Sequence, residues 1–110
     1  MTRRMTSQIK DERLEAEVIK NCKQWLNDYH MGYMEVAGQR KAKGSGSTLG
    51  FPDAVVYSKN LVFIVEFKRP NGGVLSEDQR IAIAAREAEG IKTWVICNEQ
   101  EFVRMIMSKP

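Results

Sequence analysis

The stretch that decides the fold spans residues 50–70 and reads GFPDAVVYSKNLVFIVEFKRP. Residues 53–58 and 61–68 are rich in Val, Ile, Phe and Tyr, which is typical of β-strands, and only Lys59 and Asn60 separate them. This spacing predicts a β-hairpin with a two-residue turn. The second run is apolar on both faces until its last residues, which predicts an inner strand that other elements cover on both sides.

Charged side chains stand at the ends of these two apolar runs. A two-residue turn pairs residues whose numbers add up to 119, so Asp53 is expected opposite Glu66. Side chains alternate along a strand, which places Lys68 on the same face as Glu66, about 7 Å away. Facing carboxylates repel each other, and burying one of them without a partner costs on the order of several kcal/mol. Something must compensate the two acids.

A divalent cation held by Asp53 and Glu66 is the interpretation that we favour. The backbone carbonyl of Phe67 would be a third ligand, and ligation by oxygen alone is typical of Mg²⁺ or Mn²⁺ rather than zinc. The amine of Lys68 would contact the attacking water and the scissile phosphate. The alternative interpretation is structural: Glu66 and Lys68 form a surface ion pair, and Asp53 caps a turn.

The N-terminal part of the chain predicts one helix and one strand. Apolar residues recur at spacings of three and four from about residue 8 to residue 30, which is the pattern of an amphipathic helix, and Gly32 is expected to end it. Residues 33–37, YMEVA, predict a short strand. Residues 1–7 show no periodicity and are expected to form a flexible basic arm.

The C-terminal part predicts a helix, a strand and a last helix. Ser76 and Gln79 have the spacing of a capping box, and Asn98 is the expected cap of the last helix. Between them, residues 92–97 form an apolar strand, which a helical connection places parallel to the strand before it. The whole chain predicts a single α/β domain over residues 1–110, in the order αβββαβα, with a mixed sheet of about four strands flanked by helices.

Composition allows an anionic partner without requiring one. The 110 residues carry a net charge of +3, and no apolar run is long enough to span a membrane or to form a signal peptide, so a cytoplasmic location is expected. Cys22 and Cys97 lack the spacing of a metal site and are expected to be reduced core residues. Basic residues follow the first strand and end the hairpin, which makes them candidates for contacts with phosphate: Arg40, Lys41, Lys43 and Arg69.

These residues resemble the VRR-NUC family of the PD-(D/E)XK nuclease superfamily. The resemblance rests on Pro52-Asp53, twelve intervening residues and Glu66-Phe67-Lys68. It continues through Arg69-Pro70 and through Leu75-Ser76 with Gln79, and it covers the chain from about residue 12 to residue 107. A chain of this length resembles the stand-alone minimal form that bacteriophages and bacteria carry.

The resemblance implies a restriction-endonuclease-like core and an enzyme that hydrolyses DNA phosphodiester bonds with Mg²⁺, for which Mn²⁺ can substitute. It implies structure-selective cutting like that of a Holliday-junction resolvase, a role in DNA repair or recombination, and a homodimer in the cytoplasm of a bacterial or phage-infected cell. Two alternatives stay open. One is a flap, nick or non-selective DNA nuclease of the same fold, and the other is a catalytically silent DNA-binding or assembly module.

The resemblance also implies roles for individual residues. Asp53 and Glu66 ligate the metal ion, and Lys68 orients or activates the water. Gln79 supports the site from the start of its helix, although its capping role could account for it alone. The N-terminal helix of the family supplies a further acid to the metal and to catalysis, and matching helical phase selects Glu15, with Glu12 as the alternative.

Overall fold

A computed structural model describes residues 13–37 and 51–108, which form an α/β fold. The elements in chain order are α1 (Glu15–Asp28), β1 (Tyr33–Val36), β2 (Ala54–Ser58), β3 (Leu61–Phe67), α2 (Glu77–Ala88), β4 (Thr93–Ile96) and α3 (Glu99–Met107). The predicted order αβββαβα is confirmed. The predicted basic arm of residues 1–7 and the basic candidates Arg40, Lys41 and Lys43 lie outside the described residues.

The four strands form one mixed sheet in the order β1-β2-β3-β4. The first three strands are antiparallel to one another, and β4 is parallel to β3. Every pair between β2 and β3, from Ala54 and Val65 to Ser58 and Leu61, adds up to 119, so the predicted register is confirmed. The turn residues Lys59 and Asn60 have φ angles of 54° and 68°. Two left-handed residues are what the type I′ turn of a tight hairpin requires.

One face of the sheet carries the hydrophobic core. Helices α1 and α3 cover this face, and the rings of Phe67 on β3 and Phe102 on α3 stack with centroids 6.4 Å apart. Alternate residues of β2 and β3 point into it, in agreement with the period of two along a strand. The buried apolar residues are Val18, Cys22, Leu26, Met34, Ala54, Val56, Phe63, Val65, Phe67, Ile96, Phe102, Met105 and Ile106. Of the two cysteines, Cys22 is buried as predicted and Cys97 is half-buried.

The opposite face of the sheet is only partly covered. Helix α2 packs here against β4 and the C-terminal end of β3, yet none of its residues is buried. Glu66 has no exposed surface, whereas Val62, four residues earlier on the same face, is 60% exposed. The prediction that both faces of β3 are covered is therefore right at the end of the strand and wrong at its beginning.

Helix α1 begins later and ends earlier than its apolar pattern predicts. Its first residue is Glu15, because residues 13 and 14 are not helical, and its last is Asp28. The N–H of Met31 donates to the carbonyl of Leu26 at 2.9 Å, and His30 has a φ of 52°. This is a Schellman ending, in which the left-handed residue that closes the helix is usually glycine. Here a histidine takes that position.

Gly32 serves a close approach between chain segments rather than the helix end. Its φ is +149°, and a Cβ atom on it would lie 2.2 Å from the carbonyl oxygen of Tyr57. The connection from α1 to β1 therefore passes directly over β2, where only a residue without a side chain fits.

We expect Gly32→Ala to lower the free energy of unfolding by at least about 3 kcal/mol, because strain at positive φ adds to a clash with backbone. Gly90→Ala is the matched control, since Gly90 has a φ of +84° and a Cβ atom on it would meet nothing within 4 Å. It should cost only about 1–2 kcal/mol. Urea unfolding followed by tryptophan fluorescence measures both, and equal losses would contradict the close approach at Gly32.

Candidate functional site

The hairpin brings Asp53 and Glu66 together at the end opposite its turn. The last pair of the β2–β3 ladder is Ala54 with Val65, and Asp53 and Glu66 are the next residues in the same register. Asp53 lies just before β2, whereas the sequence predicts it inside the strand. Its carboxylate Oδ2 accepts a hydrogen bond of 2.8 Å from the backbone N–H of Phe67. The side chain of Asp53 thus takes the place of a backbone acceptor of the ladder, and this hydrogen bond holds it beside Glu66.

Glu66 is the most deeply placed acid of the site. It has no exposed surface, although it is an acidic residue at the end of a strand. Oε1 accepts a hydrogen bond of 3.0 Å from Nε2 of Gln79, and Oε2 accepts one of 3.3 Å from Nη2 of Arg86. The alternative of a surface ion pair between Glu66 and Lys68 is therefore wrong in this structure, because Glu66 is buried and its cationic partner is Arg86.

Gln79 both caps α2 and contacts Glu66. Its Oε1 accepts from the N–H of Ser76 at 2.8 Å, and Oγ of Ser76 accepts from the N–H of Gln79 at 3.1 Å, so the predicted capping box is confirmed. The box fixes the amide, because the oxygen is engaged with backbone and only Nε2 can face the sheet. That nitrogen donates to Glu66. The helix cap therefore orients a carboxylate of the site.

Arg86 belongs to the site and was not identified from the sequence. It lies seven residues, or two helical turns, after Gln79 on the same stripe of α2, and its Nε donates to Oγ1 of Thr93 at 2.9 Å. That spacing was the available signal. The apolar residues of α2 are a poorer guide to the face that meets the sheet, since Ile81 is 59% exposed.

Burial, and after it the charge and hydrogen bonding of Asp53, raise the pKa of Glu66 to about 7. The hydrogen bond from Gln79 and the charge of Arg86 act in the opposite direction. The charge of Asp53 thus disfavours the ionised form of Glu66, and a positive charge placed between the two carboxylates would relieve their repulsion.

The other residues predicted for this end of the hairpin follow Glu66 directly in the sequence. The N–H of Lys68 donates to the carbonyl of Ile96 at 2.9 Å, so the β3–β4 pairing continues one residue beyond β3. Its amine makes no hydrogen bond or ion pair with residues 13–37 or 51–108. Arg69 is exposed directly after it. The carbonyl of Phe67 stays a predicted metal ligand.

The predicted third acid is not brought into the pair. Glu15 is the first residue of α1 and is half-buried. In the part of the chain that the structure describes, no three His, Cys, Asp or Glu side chains form a group that could hold a metal ion. The role of Glu15 stays a prediction. The remaining candidates lie outside the described residues: Glu12, Arg40, Lys41 and Lys43.

Comparison of the chain with protein-family models, with curated proteins and with solved structures finds no match. None of the described helices is long and apolar enough to cross a membrane. The arrangement of Asp53, Glu66, Gln79 and Arg86 and the motif in which they occur therefore carry the functional interpretation.

In the metal-free chain, we expect the free energy of unfolding to depend on pH because Glu66 is buried. Glu66 has a pKa of about 7 when folded and about 4.3 when unfolded. The folded state therefore holds more protons between these values, and the free energy of unfolding should fall as pH rises from about 4.5 to about 7. The contribution of Glu66 to this loss is at most about 4 kcal/mol.

Glu66→Gln removes the titrating group and should flatten the loss of stability with pH. Urea unfolding in EDTA, repeated at intervals from about pH 4.5 to about pH 8, measures it. Glu87→Gln, which replaces an exposed glutamate of α2, controls for the loss of one negative charge. An unchanged slope in Glu66→Gln would show that another group causes the dependence.

Proposed function

We propose that this chain is a Mg²⁺-dependent endodeoxyribonuclease of the VRR-NUC type, with a restriction-endonuclease-like core, and that it cuts branched DNA as a Holliday-junction resolvase does. One observation carries the proposal: Glu66 is fully buried, and its pKa rises to about 7 partly because Asp53 lies beside it. Two apolar residues would be more stable at these positions, since burying a charge is costly. A cation bound by the two carboxylates would offset this cost.

The residues present fit a small divalent cation. Their donor atoms are carboxylate oxygens, and Mg²⁺ is usually bound by one or two carboxylates, with water completing the shell. Mn²⁺ accepts the same ligands and should substitute. The unequal environments of the two acids also fit, because Asp53 is anchored to backbone while Glu66 is held by side chains.

Each side chain has a distinct part in hydrolysis. When bound, the cation supplies a Lewis acid and lowers the pKa of a coordinated water. Asp53 and Glu66 hold it, with the carbonyl of Phe67 as a further oxygen ligand, and Gln79 keeps the carboxylate of Glu66 turned toward the site. The ammonium of Lys68 contacts the water and the scissile phosphate and stabilises the negative charge that develops in the transition state.

Positive charge near the site would bind the DNA backbone. Lys68 and Arg69 end the hairpin beside the two acids, and Arg69 is exposed. The loop cations Arg40, Lys41 and Lys43 would extend this surface, and Glu15 would complete the metal shell from α1, with Glu12 as the alternative. Phosphate contacts of this kind give affinity without sequence preference, which suits an enzyme that selects DNA by its branched structure.

We expect the chain to cut a labelled four-way junction in Mg²⁺ or Mn²⁺ and not in EDTA. Asp53→Ala and Lys68→Ala should each lower the rate by about 10²–10³-fold, since each removes a group that stabilises the transition state. Glu89→Ala, an exposed acid at the far end of α2, is the matched control and should cut normally. Gel electrophoresis of the products measures these rates.

The outcomes separate the alternatives. Cutting in EDTA, or full activity of Asp53→Ala, would overturn the metal mechanism. Equal cutting of flaps, nicked DNA and linear duplex would favour a non-selective nuclease. Binding to the junction without cutting any substrate would favour a catalytically silent DNA-binding module.

A homodimer is part of the proposal, and the open face of the sheet supports it. Tyr33, Tyr57 and Val62 occupy one row across β1, β2 and β3 on the face that α2 leaves uncovered. They are 60%, 40% and 60% exposed, and the two tyrosine rings stack with centroids 5.9 Å apart. Tyrosine is enriched in protein interfaces. A second copy placed on this row would bury it and would bring two sites to one DNA junction.

Val62→Glu should weaken this dimer, because it places a charge at the β3 end of the row, in an apolar contact. Sedimentation equilibrium should give twice the 12.6 kDa mass for the unmodified chain and a mass close to that of one chain for the variant. Gln100→Glu adds the same charge on α3, which covers the other face of the sheet, and should leave the dimer intact. A mass of one chain for the unmodified protein at micromolar concentration would contradict the dimer.

A further inference from the structure

Glu66 is tied to the edge strand β4 through Arg86. Nη2 of Arg86 donates to Oε2 of Glu66 at 3.3 Å, while Nε of the same guanidinium donates to Oγ1 of Thr93 at 2.9 Å. The arginine side chain is only 18% exposed and that of Glu66 only 1%. Thr93 is also buried, with 6% of its surface exposed. Three polar side chains thus form a chain of hydrogen bonds largely shielded from water.

Thr93 is linked to Glu66 through the guanidinium of Arg86. In the parallel ladder Glu66 pairs with Val95, so Thr93 lies two residues earlier on the same face of β4, about 7 Å along the strand. A guanidinium is planar and rigid, and its donors keep fixed directions relative to one another. A hydrogen bond at Nε therefore determines where Nη2 points. Thr93 thus helps to orient the guanidinium of Arg86, and Arg86 in turn helps to orient the carboxylate of Glu66.

We propose that Thr93 and Arg86 form a positioning relay that fixes the Glu66 carboxylate for a small octahedral cation and so makes the site selective for Mg²⁺ over Ca²⁺. This inference rests on the proposed function, because it requires Glu66 to be a metal ligand. Gln79 fixes one oxygen of the carboxylate and the relay fixes the other. With one hydrogen bond to each oxygen, the carboxylate is restrained from turning, and each oxygen keeps a lone pair for a ligand.

Orientation and charge have different consequences for the two cations. Mg²⁺ requires nearly ideal octahedral ligands at about 2.0–2.1 Å, whereas Ca²⁺ accepts six to eight oxygens in flexible arrangements at about 2.3–2.6 Å. A carboxylate that is free to turn therefore binds Mg²⁺ less well and Ca²⁺ almost equally well. A change in local charge, by contrast, affects two divalent cations to a similar extent.

Two substitutions break the relay at different points. Thr93→Val keeps the shape and the preference for a strand but removes the acceptor of the Nε hydrogen bond. Arg86→Lys keeps the positive charge beside Glu66 but loses the planar fork. Thr93→Ser restores the hydroxyl and should rescue the binding that Thr93→Val loses. Because these variants differ in the element that they change, failure of one to fold leaves the other as a test.

Isothermal titration calorimetry with MgCl₂ and with CaCl₂ measures the effect without any catalytic readout. Loss of an outer hydrogen-bonding partner typically weakens metal binding about 10–100-fold, and we expect this loss for Mg²⁺ in Thr93→Val and Arg86→Lys. Ca²⁺ affinity should change less than about threefold, as its coordination is flexible. In junction cleavage at fixed Mg²⁺ below saturation, kcat should fall while KM for DNA stays unchanged.

Ser58→Ala controls for general destabilisation of the sheet. Ser58 is buried on β2 and donates to the carbonyl of Met31 at 2.6 Å, on the face that points away from α2. Its loss should leave both metal affinities unchanged.

Three results would overturn the relay. Mg²⁺ affinity within twofold of the unmodified chain in both Thr93→Val and Arg86→Lys would show that Glu66 needs no help from β4. Equal losses for Mg²⁺ and Ca²⁺ would show that the relay does not distinguish the two cations. Absence of Mg²⁺ binding by the unmodified chain would overturn the metal mechanism and the relay together, which distinguishes that failure from the first two.

Discussion

A carboxylate without access to water is the constraint on which the rest of the site depends. Glu66 has no exposed surface, so the interactions that water would provide must come from the protein. Gln79 and Arg86 supply two hydrogen bonds from α2, while Asp53 adds a second negative charge that raises the pKa of Glu66. Burial and Asp53 outweigh the hydrogen bond of Gln79 and the charge of Arg86, so the ionised form of Glu66 is disfavoured overall. A bound cation would compensate the two adjacent carboxylates, which is the basis of the proposed nuclease.

Helix α2 is attached to the sheet by these polar contacts more than by apolar burial. None of its residues is buried, whereas α1 and α3 each contribute three residues to the core. Its position over β3 and β4 therefore depends on the capping amide of Gln79 and on the guanidinium of Arg86. Stability and chemistry are coupled in this helix, because the groups that dock it are the groups that orient Glu66. A site residue replaced on α2 should affect both.

One face of the sheet provides most of the stability, and the other carries the candidate site. The face under α1 and α3 holds a continuous apolar core, in which close packing provides most of the stability. The opposite face holds the buried acid at one end and an exposed row of Tyr33, Tyr57 and Val62 at the other. Polar groups are tolerated on that face because the core is already complete on the first. The proposed chemistry and the proposed dimer contact both lie on the face that α2 covers only in part.

The sequence by itself determined the features that neighbouring residues control. A two-residue turn sets the register of the whole hairpin, so the meeting of Asp53 and Glu66 followed from counting, and the capping box of Gln79 is formed within four residues. The tertiary structure alone decided the cationic partner of Glu66 and the residue behind it. Arg86 reaches it from twenty residues away only because α2 crosses the sheet at one particular angle, and Thr93 enters only because β4 lies parallel to β3 in one register. Such contacts depend on how elements pack, and no local pattern in the chain specifies that packing.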